Sequence, residues 1–200
     1  MYTSLMATIP ATKVSVEEYL ALDRTAEIPS EYYDGELFPL AAVSVRHSII
    51  SANIVRMLGN RLEKTPCRVA NSPLRVRVSP TKYVIPDMMV ICGKPVLTDE
   101  YQDTVTNPKV IGEVLSPSTA DYDYGEKFIL FRKLESFEEY LLVAQDRARV
   151  EVFHKKADKH WAITTYEGLD AVVNIESLTM SLPMTEIYSG VELNPDAAAD

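Results

Sequence analysis

The sequence predicts a mixed α/β or α+β domain whose central β-sheet is covered by helices. Three observations carry this prediction: an amphipathic helix over residues 47–63, continuously apolar strands after it, and a second helical stripe between two groups of strands. Helices and runs of strands that alternate in this way are typical of a mixed sheet packed between helices. The chain shows no internal repeat and no low-complexity segment.

The first predicted elements are a short helix, a strand and the long helix. Ser15 is followed three residues later by Glu18, the capping box that begins a helix in VSVEEYLAL. In SEYYDGELFPL, Asp34 and Gly35 predict a turn beside a strand. The long helix has one face at helical spacing, formed by His47, Ile50, Ile54, Leu58 and Leu62.

The remaining elements are mostly strands. We predict strands in CRVANS, LRVRV, YVIPDMMVIC and PKVIGEVLS, a second helix over Asp121–Leu134, and further strands in EEYLLVAQ, ARVEVFHK and HWAITTY. The last two strands are expected to form a hairpin. Short strands and turns complete a single domain over residues 14–193, and the termini, 1–13 and 194–200, are expected to be flexible.

The composition indicates a globular protein of the cytoplasm. The 200 residues include no apolar run long enough for a membrane helix, and MYTSLMATIP lacks the basic and apolar regions of a secretory signal. Without an export signal, Cys67 and Cys92 are expected to be two reduced thiols, since they lie far apart and have no metal-binding spacing.

Positive charge is concentrated in one part of an acidic chain. The formal net charge is −9, yet residues 46–82 contain eight basic residues and one acidic residue, a local charge of +7. This block is either a solvated helix face with a strand or a surface that contacts phosphates. The acidic total argues against a nucleic-acid coat protein but not against a nucleic-acid enzyme. The candidates for contact with a DNA backbone are Arg46, Arg56, Arg75 and Arg77.

Two apolar strands each contain one carboxylate, Asp87 and Glu113. By strand alternation, Asp87 shares its face with Ile85, Met89 and Ile91, and Glu113 shares its face with Ile111 and Leu115. A buried carboxylate must be neutralised, paired or bound to metal, and a divalent cation between the two would satisfy both. Alternatively, Asp87 is a turn residue after Pro86, and Glu113 forms a salt bridge with a core arginine such as Arg75.

Lys127 lies on the second helix, just after the Glu113 strand. It borders the apolar stripe that contains Tyr124 and Phe131, so its amine could reach the carboxylates. The alternatives are a surface lysine whose stem alone is buried, or a pair with Asp123 four residues earlier.

An ordered set of segments resembles a known family. SEYYDGELFPL, HSIISANI, YVIPDMMVICG, NPKVIGEVLSPSTADYDYGEKF, FEEYLLVAQDRARVEVF and LPMTEIYSGVEL together resemble the bacterial "putative restriction endonuclease" family, a divergent branch of the PD-(D/E)XK nucleases. The similarity covers nearly the whole chain, from about Val14 to about Leu193. It implies a restriction-endonuclease-like fold, a central mixed sheet flanked by helices on an αβββαβ core.

The resemblance also implies roles for particular residues. Pro86 and Asp87 match the PD of the motif, and Glu113 matches its second acid, so these carboxylates are expected to hold Mg²⁺, with Mn²⁺ as a substitute. Leu115 stands where the usual lysine would be, and Lys127 is the matching lysine from the following helix. Glu36 and His47 are candidates for an additional group. Their alternatives are a surface acid beside a turn for Glu36 and a histidine packed on the sheet for His47.

The expected function is Mg²⁺-dependent hydrolysis of DNA phosphodiester bonds by Asp87, Glu113 and Lys127. Burial and the proximity of Asp87 should raise the pKa of Glu113 when metal is absent. A homodimer is expected because cutting both strands of a duplex usually takes two sites. Two other classes stay open at this point: a catalytically inactive protein of the nuclease fold that binds DNA or protein, and a structural or dimerisation protein.

Overall fold

The computed structural model of the protein describes residues 13–117 and 119–194. The two predicted flexible termini lie outside this range, apart from Lys13 and Asn194. The helices are α1 (Val16–Asp23), α2 (Val45–Leu62), α3 (Ala120–Tyr122), α4 (Phe128–Phe131) and α5 (Met184–Ile187), with a π-helical turn (Asp123–Lys127) between α3 and α4 and a 3₁₀ turn (Glu176–Leu178) before the last strand.

A six-stranded mixed sheet forms the centre of the molecule. Its strands are β3 (Cys67–Asn71), β6 (Met88–Cys92), β8 (Val110–Leu115), β9 (Glu139–Ala144), β10 (Arg149–Lys155) and β11 (Trp161–Glu167). Their order is β11-β10-β9-β8-β6-β3, and only β8 and β9 are parallel. The helical segment 120–131 connects these two strands. The succession α2, β3, β6, β8, helical segment, β9 is the expected αβββαβ core, and the predicted fold class is confirmed.

A second sheet adds five short strands. These are β1 (Ser30–Tyr33), β2 (Glu36–Pro39), β4 (Arg75–Ser79), β5 (Lys82–Val84) and β7 (Thr104–Val105), in the order β2-β1-β5-β4-β7. The β1–β2 hairpin turns at Asp34 and Gly35, which both have positive φ angles, and glycine adopts such angles without steric cost. A separate hairpin, β12 (Val172–Ile175) with β13 (Met180–Pro183), precedes α5.

Apolar side chains cover both faces of the six-stranded sheet. One cluster joins the predicted stripe of α2 to one sheet face and to the C-terminal hairpin, and includes Ile50, Ile54, Val114 and Val143. The other cluster joins the opposite face to α4 and the second sheet, and includes Ile111, Phe131, Tyr140 and Leu142. Val114 and Ile111 therefore face opposite ways, and Glu113 points to the side of the helical segment, as strand alternation predicts.

Two predicted elements are interrupted. YVIPDMMVIC was expected to be one strand, but it divides at residues 85–87 into β5 of the second sheet and β6 of the central sheet. Proline cannot donate a ladder hydrogen bond, which is why Pro86 marks the break. The predicted helix over 121–134 is shorter, ends at Phe131, and contains the π-helical turn. Asp87 thus lies in the bend after Pro86. This is the local structure expected if Asp87 is a turn residue.

The prediction of two reduced thiols is wrong in this structure, because a disulfide joins Cys67 and Cys92. β3 pairs antiparallel with β6 in a register that places Cys67 directly opposite Cys92. Their sequence separation of 25 is therefore no obstacle to bonding. No helix among residues 13–117 and 119–194 is both long and apolar enough to cross a membrane.

Candidate active site

Asp87 and Glu113 fix each other through the backbone. The backbone N–H of Asp87 donates to Glu113 Oε2 over 3.1 Å, and the N–H of Val114 donates to Asp87 Oδ2 over 2.7 Å. The bend at Pro86 and the β8 strand thus bring the two predicted metal ligands side by side. Asp87 keeps 22% of its side chain exposed, whereas Glu113 keeps only 4%.

Lys127 reaches Glu113 from the helical segment. Its Nζ lies 2.8 Å from Glu113 Oε1, and the two buried side chains form a salt bridge. The same amine donates to the carbonyl of Ile85 over 3.4 Å. With a side chain only 7% exposed, Lys127 is not the surface lysine of the alternative reading. Lys127 thus contacts Glu113, and Glu113 is joined to Asp87 through backbone hydrogen bonds.

The π-helical turn positions Lys127. It spans Asp123–Lys127 and buries both of its terminal side chains, so that Asp123 Oδ1 and Lys127 Nζ are 3.5 Å apart. A π-turn inserts an extra residue into a helix and turns the following side chains, and such turns occur frequently at functional sites. Here the turn directs both charged groups toward the sheet while Phe128 and Phe131 still enter the core.

Glu31 of β1 is a further carboxylate beside Lys127, and it was not predicted from the sequence. Its Oε1 lies 3.5 Å from Lys127 Nζ and accepts the backbone N–H of Ile85 over 3.0 Å. Its Oε2 accepts the hydroxyl of Tyr122 over 2.8 Å, and Tyr33 also donates to it. Glu31 thus joins the second sheet to the site.

The predicted candidate in this segment, Glu36, lies elsewhere. It is exposed on β2 opposite Tyr33 and does not line the cavity described below. Glu36 is thus the surface acid of the alternative reading, and Glu31 occupies the place expected for it. A carboxylate inside an otherwise buried strand, the signal used for Glu113, would have pointed to Glu31.

Three buried acids, Glu31, Glu113 and Asp123, surround one buried base, Lys127. Burial raises the pKa of Glu113 well above its ordinary value, and repulsion from Asp87 and Asp123 adds to this, while Lys127 offsets only part. Burial also raises the pKa of Asp123. For Lys127, burial alone would lower the pKa, but the surrounding carboxylates raise it. The lysine therefore stays charged, and the expected shift of Glu113 is confirmed.

His47 contacts the other acid. It lies in the first turn of α2, where Ser44 caps the helix, and its Nε2 is 3.0 Å from Asp87 Oδ2. The ring is buried, and within the described residues its Nδ1 has no hydrogen-bond partner. His47 is thus buried at the start of α2, as the packing alternative predicts, and it also contacts Asp87.

The charged group faces a cavity of about 550 Å³. Asp87, Glu113, Lys127, Glu31 and Asp123 line this cavity together with the segment between β2 and α2. A substrate group could therefore reach Asp87 from solvent.

The four arginines predicted to contact a DNA backbone differ in exposure. Arg46 and Arg56 are exposed on α2 and border the cavities on either side of the charged group. Arg75 is buried and bound to Asp23 and Asp103, so it cannot contact DNA. It is also not the partner of Glu113, contrary to the salt-bridge alternative. Arg77 is half-buried on β4 of the second sheet and lines none of these cavities.

The donor set fits a divalent cation held at an open site. Among residues 13–117 and 119–194, no three His, Cys, Asp or Glu side chains form a ready-made metal cage. Mg²⁺, however, is usually held by one or two carboxylates, with waters and substrate phosphates completing its shell. Asp87 and Glu113 supply two adjacent carboxylates, joined through backbone N–H groups. The surplus of buried negative charge further favours a cation.

Comparison with known proteins identifies the family. Residues 16–185 match the model of the Uma2 family, described as "Putative restriction endonuclease". The chain belongs to the Uma2 family. Two similar proteins come from Synechocystis sp. (strain ATCC 27184 / PCC 6803 / Kazusa). The first, slr1290, is 32% identical over 91% of this chain and 95% of its own length. The second, sll1609, is 35% identical over 84% of this chain and 96% of its own length.

A solved structure shows the same fold as this Uma2 protein. It is the crystal structure of "a putative nuclease belonging to DUF820" from Anabaena variabilis ATCC 29413, with a TM-score of 0.71 at 18% identity. The match covers 88% of this chain and 98% of the other. The fold is therefore restriction-endonuclease-like, and family and fold together point to a nuclease.

Proposed function

We propose that this Uma2 protein is a metal-dependent endonuclease that hydrolyses phosphodiester bonds of DNA. The observation that carries the proposal is the meeting of Asp87, Glu113 and Lys127 at the wall of an open cavity, with Lys127 Nζ 2.8 Å from Glu113. Two carboxylates can hold a metal ion that activates water, and a positioned lysine can stabilise charge on the phosphate.

Asp87 and Glu113 would hold Mg²⁺, with Mn²⁺ as a substitute. When bound, the ion supplies a more acidic water and polarises the phosphate. Asp87 is ready for this role because His47 and the Val114 N–H hold one of its oxygens in place. Glu113 is held likewise by the N–H of Asp87.

Lys127 would stabilise negative charge that develops on the phosphate oxygens or orient the attacking water. The raised pKa keeps its amine protonated at neutral pH. Glu31 and Asp123, each 3.5 Å from the amine, limit its movement. A positioned donor of this kind needs little reorganisation when charge develops, which is the source of electrostatic catalysis.

Nicking of supercoiled plasmid tests the proposal. With Mg²⁺ or Mn²⁺ the protein should nick the plasmid, and Asp87→Asn or Glu113→Gln should each slow nicking roughly 100-fold or more. Glu36→Gln is the matched control and should keep the wild-type rate. Nicking that survives the Glu113 change would contradict this site. DNA binding without turnover would support the inactive alternative.

Arg46 and Arg56 would bind phosphates on either side of the cleaved bond. Arg46→Ala and Arg56→Ala should weaken binding of all DNA sequences alike, because phosphate contacts carry no sequence information. Each should reduce the slope of log affinity against log salt by roughly 0.9. Fluorescence anisotropy at several salt concentrations measures this slope. Arg132→Ala removes an exposed arginine of the α4 end and should leave it unchanged.

The assembly and compartment belong to the same proposal. Two copies of the site would allow both strands of a duplex to be cut, so we propose a homodimer. We also propose the cytoplasm as its compartment, where the Cys67–Cys92 disulfide would be an exception to the usual reduced thiols.

A further inference from the structure

A groove of about 490 Å³ lies between α2 and the end of β3. It shares four lining residues with the cavity of the candidate active site: Val43, His47, Ser72 and Asp87. Asn71, the last residue of β3, lies opposite Met88, which directly follows Asp87 in the chain. The backbone N–H of Ser72 donates to the carbonyl of Asp87 over 3.1 Å. The groove therefore begins beside one of the two proposed metal ligands.

Four uncharged polar side chains line the groove: Ser48, Ser51, Asn71 and Ser72. Within residues 13–117 and 119–194, none of these four side chains has a hydrogen-bond partner. Ser48 and Asn71 are exposed, and Ser51 and Ser72 are half-buried. Hydroxyl and amide groups of this kind commonly donate to phosphate oxygens in protein–DNA complexes. The groove thus has donors that are free to contact a ligand.

The groove carries less negative charge than the active-site cavity. Of the acids in the described part of the chain, Asp87 lines the groove, whereas Glu31, Glu113 and Asp123 also line the active-site cavity. Arg56 lines the groove, is exposed, and forms no ion pair with any described residue. A divalent ion at Asp87 would offset the acid that is present. The groove is therefore suited to an anion that extends from the metal site.

The length of the groove matches a short stretch of nucleic acid. Its lining residues on α2 extend from Ser48 to Arg56, a distance of about 12 Å at about 1.5 Å per residue. Each strand of a DNA duplex has one phosphate per about 3.4 Å of axis, so this length corresponds to about three phosphates. No described Phe, Tyr or Trp lines the groove, so an unpaired base would find no ring to stack on. The lining therefore suits a backbone and not a base.

We infer that this groove binds the sugar–phosphate backbone of one strand of duplex DNA, on one side of the cleaved bond. The inference rests on the proposed function, and it extends the single contact proposed for Arg56 to a path along α2. Ser48, Ser51 and Asn71 would donate to successive phosphates between the metal site and Arg56. Because these contacts do not read the bases, duplexes of any sequence should bind alike, with their base pairs intact.

Asn71→Asp tests this inference without catalysis. The change keeps the size of the side chain and adds one negative charge to the groove. Anisotropy is measured with Ca²⁺ in place of Mg²⁺, on two duplexes of unrelated sequence. Binding of both duplexes should weaken about fivefold or more at low salt, because like charges a few ångströms apart repel each other. The loss should shrink as salt rises. Asn71→Lys, which adds the opposite charge, should tighten binding by a similar factor.

Asn174→Asp is the matched control. Asn174 is also an exposed strand residue, it lies on β12 outside the groove, and an aspartate there can still accept the hydroxyl of Ser181. Unchanged binding in Asn71→Asp, an equal loss in Asn174→Asp, or no binding of either duplex by the wild type would overturn the inference. Failure of the proposed function is seen separately, as absence of nicking in every metal. Weaker binding in Asn71→Asp without any nicking would keep the groove and remove only the chemistry.

Discussion

Replacing Lys127 by methionine is expected to abolish nicking and to lower the free energy of unfolding by about 3–5 kcal/mol. Methionine keeps most of the stem but removes the amine that lies 2.8 Å from Glu113 and 3.5 Å from Glu31 and Asp123. Three buried carboxylates then lose their common cation. Removing one partner of a buried ion pair is costly because the remaining charge has no solvent to stabilise it. Urea unfolding without divalent ions measures the loss.

Lys82→Met provides the control for this change. Lys82 pairs with Asp34 near the protein surface, where solvent screens the charges, so its loss should change stability little. Mg²⁺ should restore part of the stability lost in Lys127→Met, since a cation at Asp87 and Glu113 neutralises the same group. Unchanged unfolding of Lys127→Met would show that the amine does not hold the carboxylates together.

The sequence was sufficient to place Glu113 and Lys127 on the same side of the central sheet, whereas Asp87 lies in a bend and not on the predicted strand. Strand alternation put Glu113 on the face opposite Val114, and helical spacing put Lys127 beside the apolar stripe; both placements agree with the packing. These are local rules with periods of two and 3.6 residues, and they hold because each element buries one face. Residues inside regular elements were therefore the most predictable part of the site.

Residues whose position depends on a long-range pairing were not predictable. Glu31 reaches Lys127 only because β1 pairs with β5 and the Ile85 N–H then anchors its carboxylate. Cys67 meets Cys92 only through the register of β3 on β6. Neither pairing has a periodic signal in the sequence. Arg75 was predicted to contact DNA, but it is buried and bound to Asp23. No pattern in its alternating strand indicated this partner.

The π-helical turn explains how Lys127, which we propose to act in place of the lysine missing at Leu115, reaches Glu113. A regular helix over the same residues would present side chains at a constant 3.6-residue period. The extra residue of the π-turn lets Asp123 and Lys127 share the buried side with Phe128 and Phe131. Helix propensity does not reveal such a turn. The turn depends on the burial of Asp123 and Lys127 against the sheet, which is a tertiary contact.

Glu113→Gln should stabilise the metal-free protein at neutral pH by about 1–2 kcal/mol, while it abolishes metal binding. A carboxyl whose pKa is raised by folding contributes stability that is present below the pKa of the unfolded chain. That contribution is lost as pH rises through the folded pKa. The wild type without metal should therefore lose stability from about pH 5 upward. Glutamine mimics the protonated acid and should lose less, so the difference between the two proteins should grow with pH.

Glu139→Gln is the matched control for this prediction. Glu139 is also fully buried, on the neighbouring strand β9, but its carboxylate accepts the backbone N–H groups of Glu176 and Ser177. Glutamine would lose one of these acceptors, so Glu139→Gln should destabilise the protein. Thermal unfolding at several pH values, with and without Mg²⁺, measures all three proteins. Because Mg²⁺ requires the ionised carboxylate, it should stabilise the wild type and Glu139→Gln but not Glu113→Gln. A Glu113→Gln protein that is less stable than the wild type at neutral pH without metal would show that the carboxylate is structural. The Glu113 carboxylate would then stabilise the fold and would not be a metal ligand.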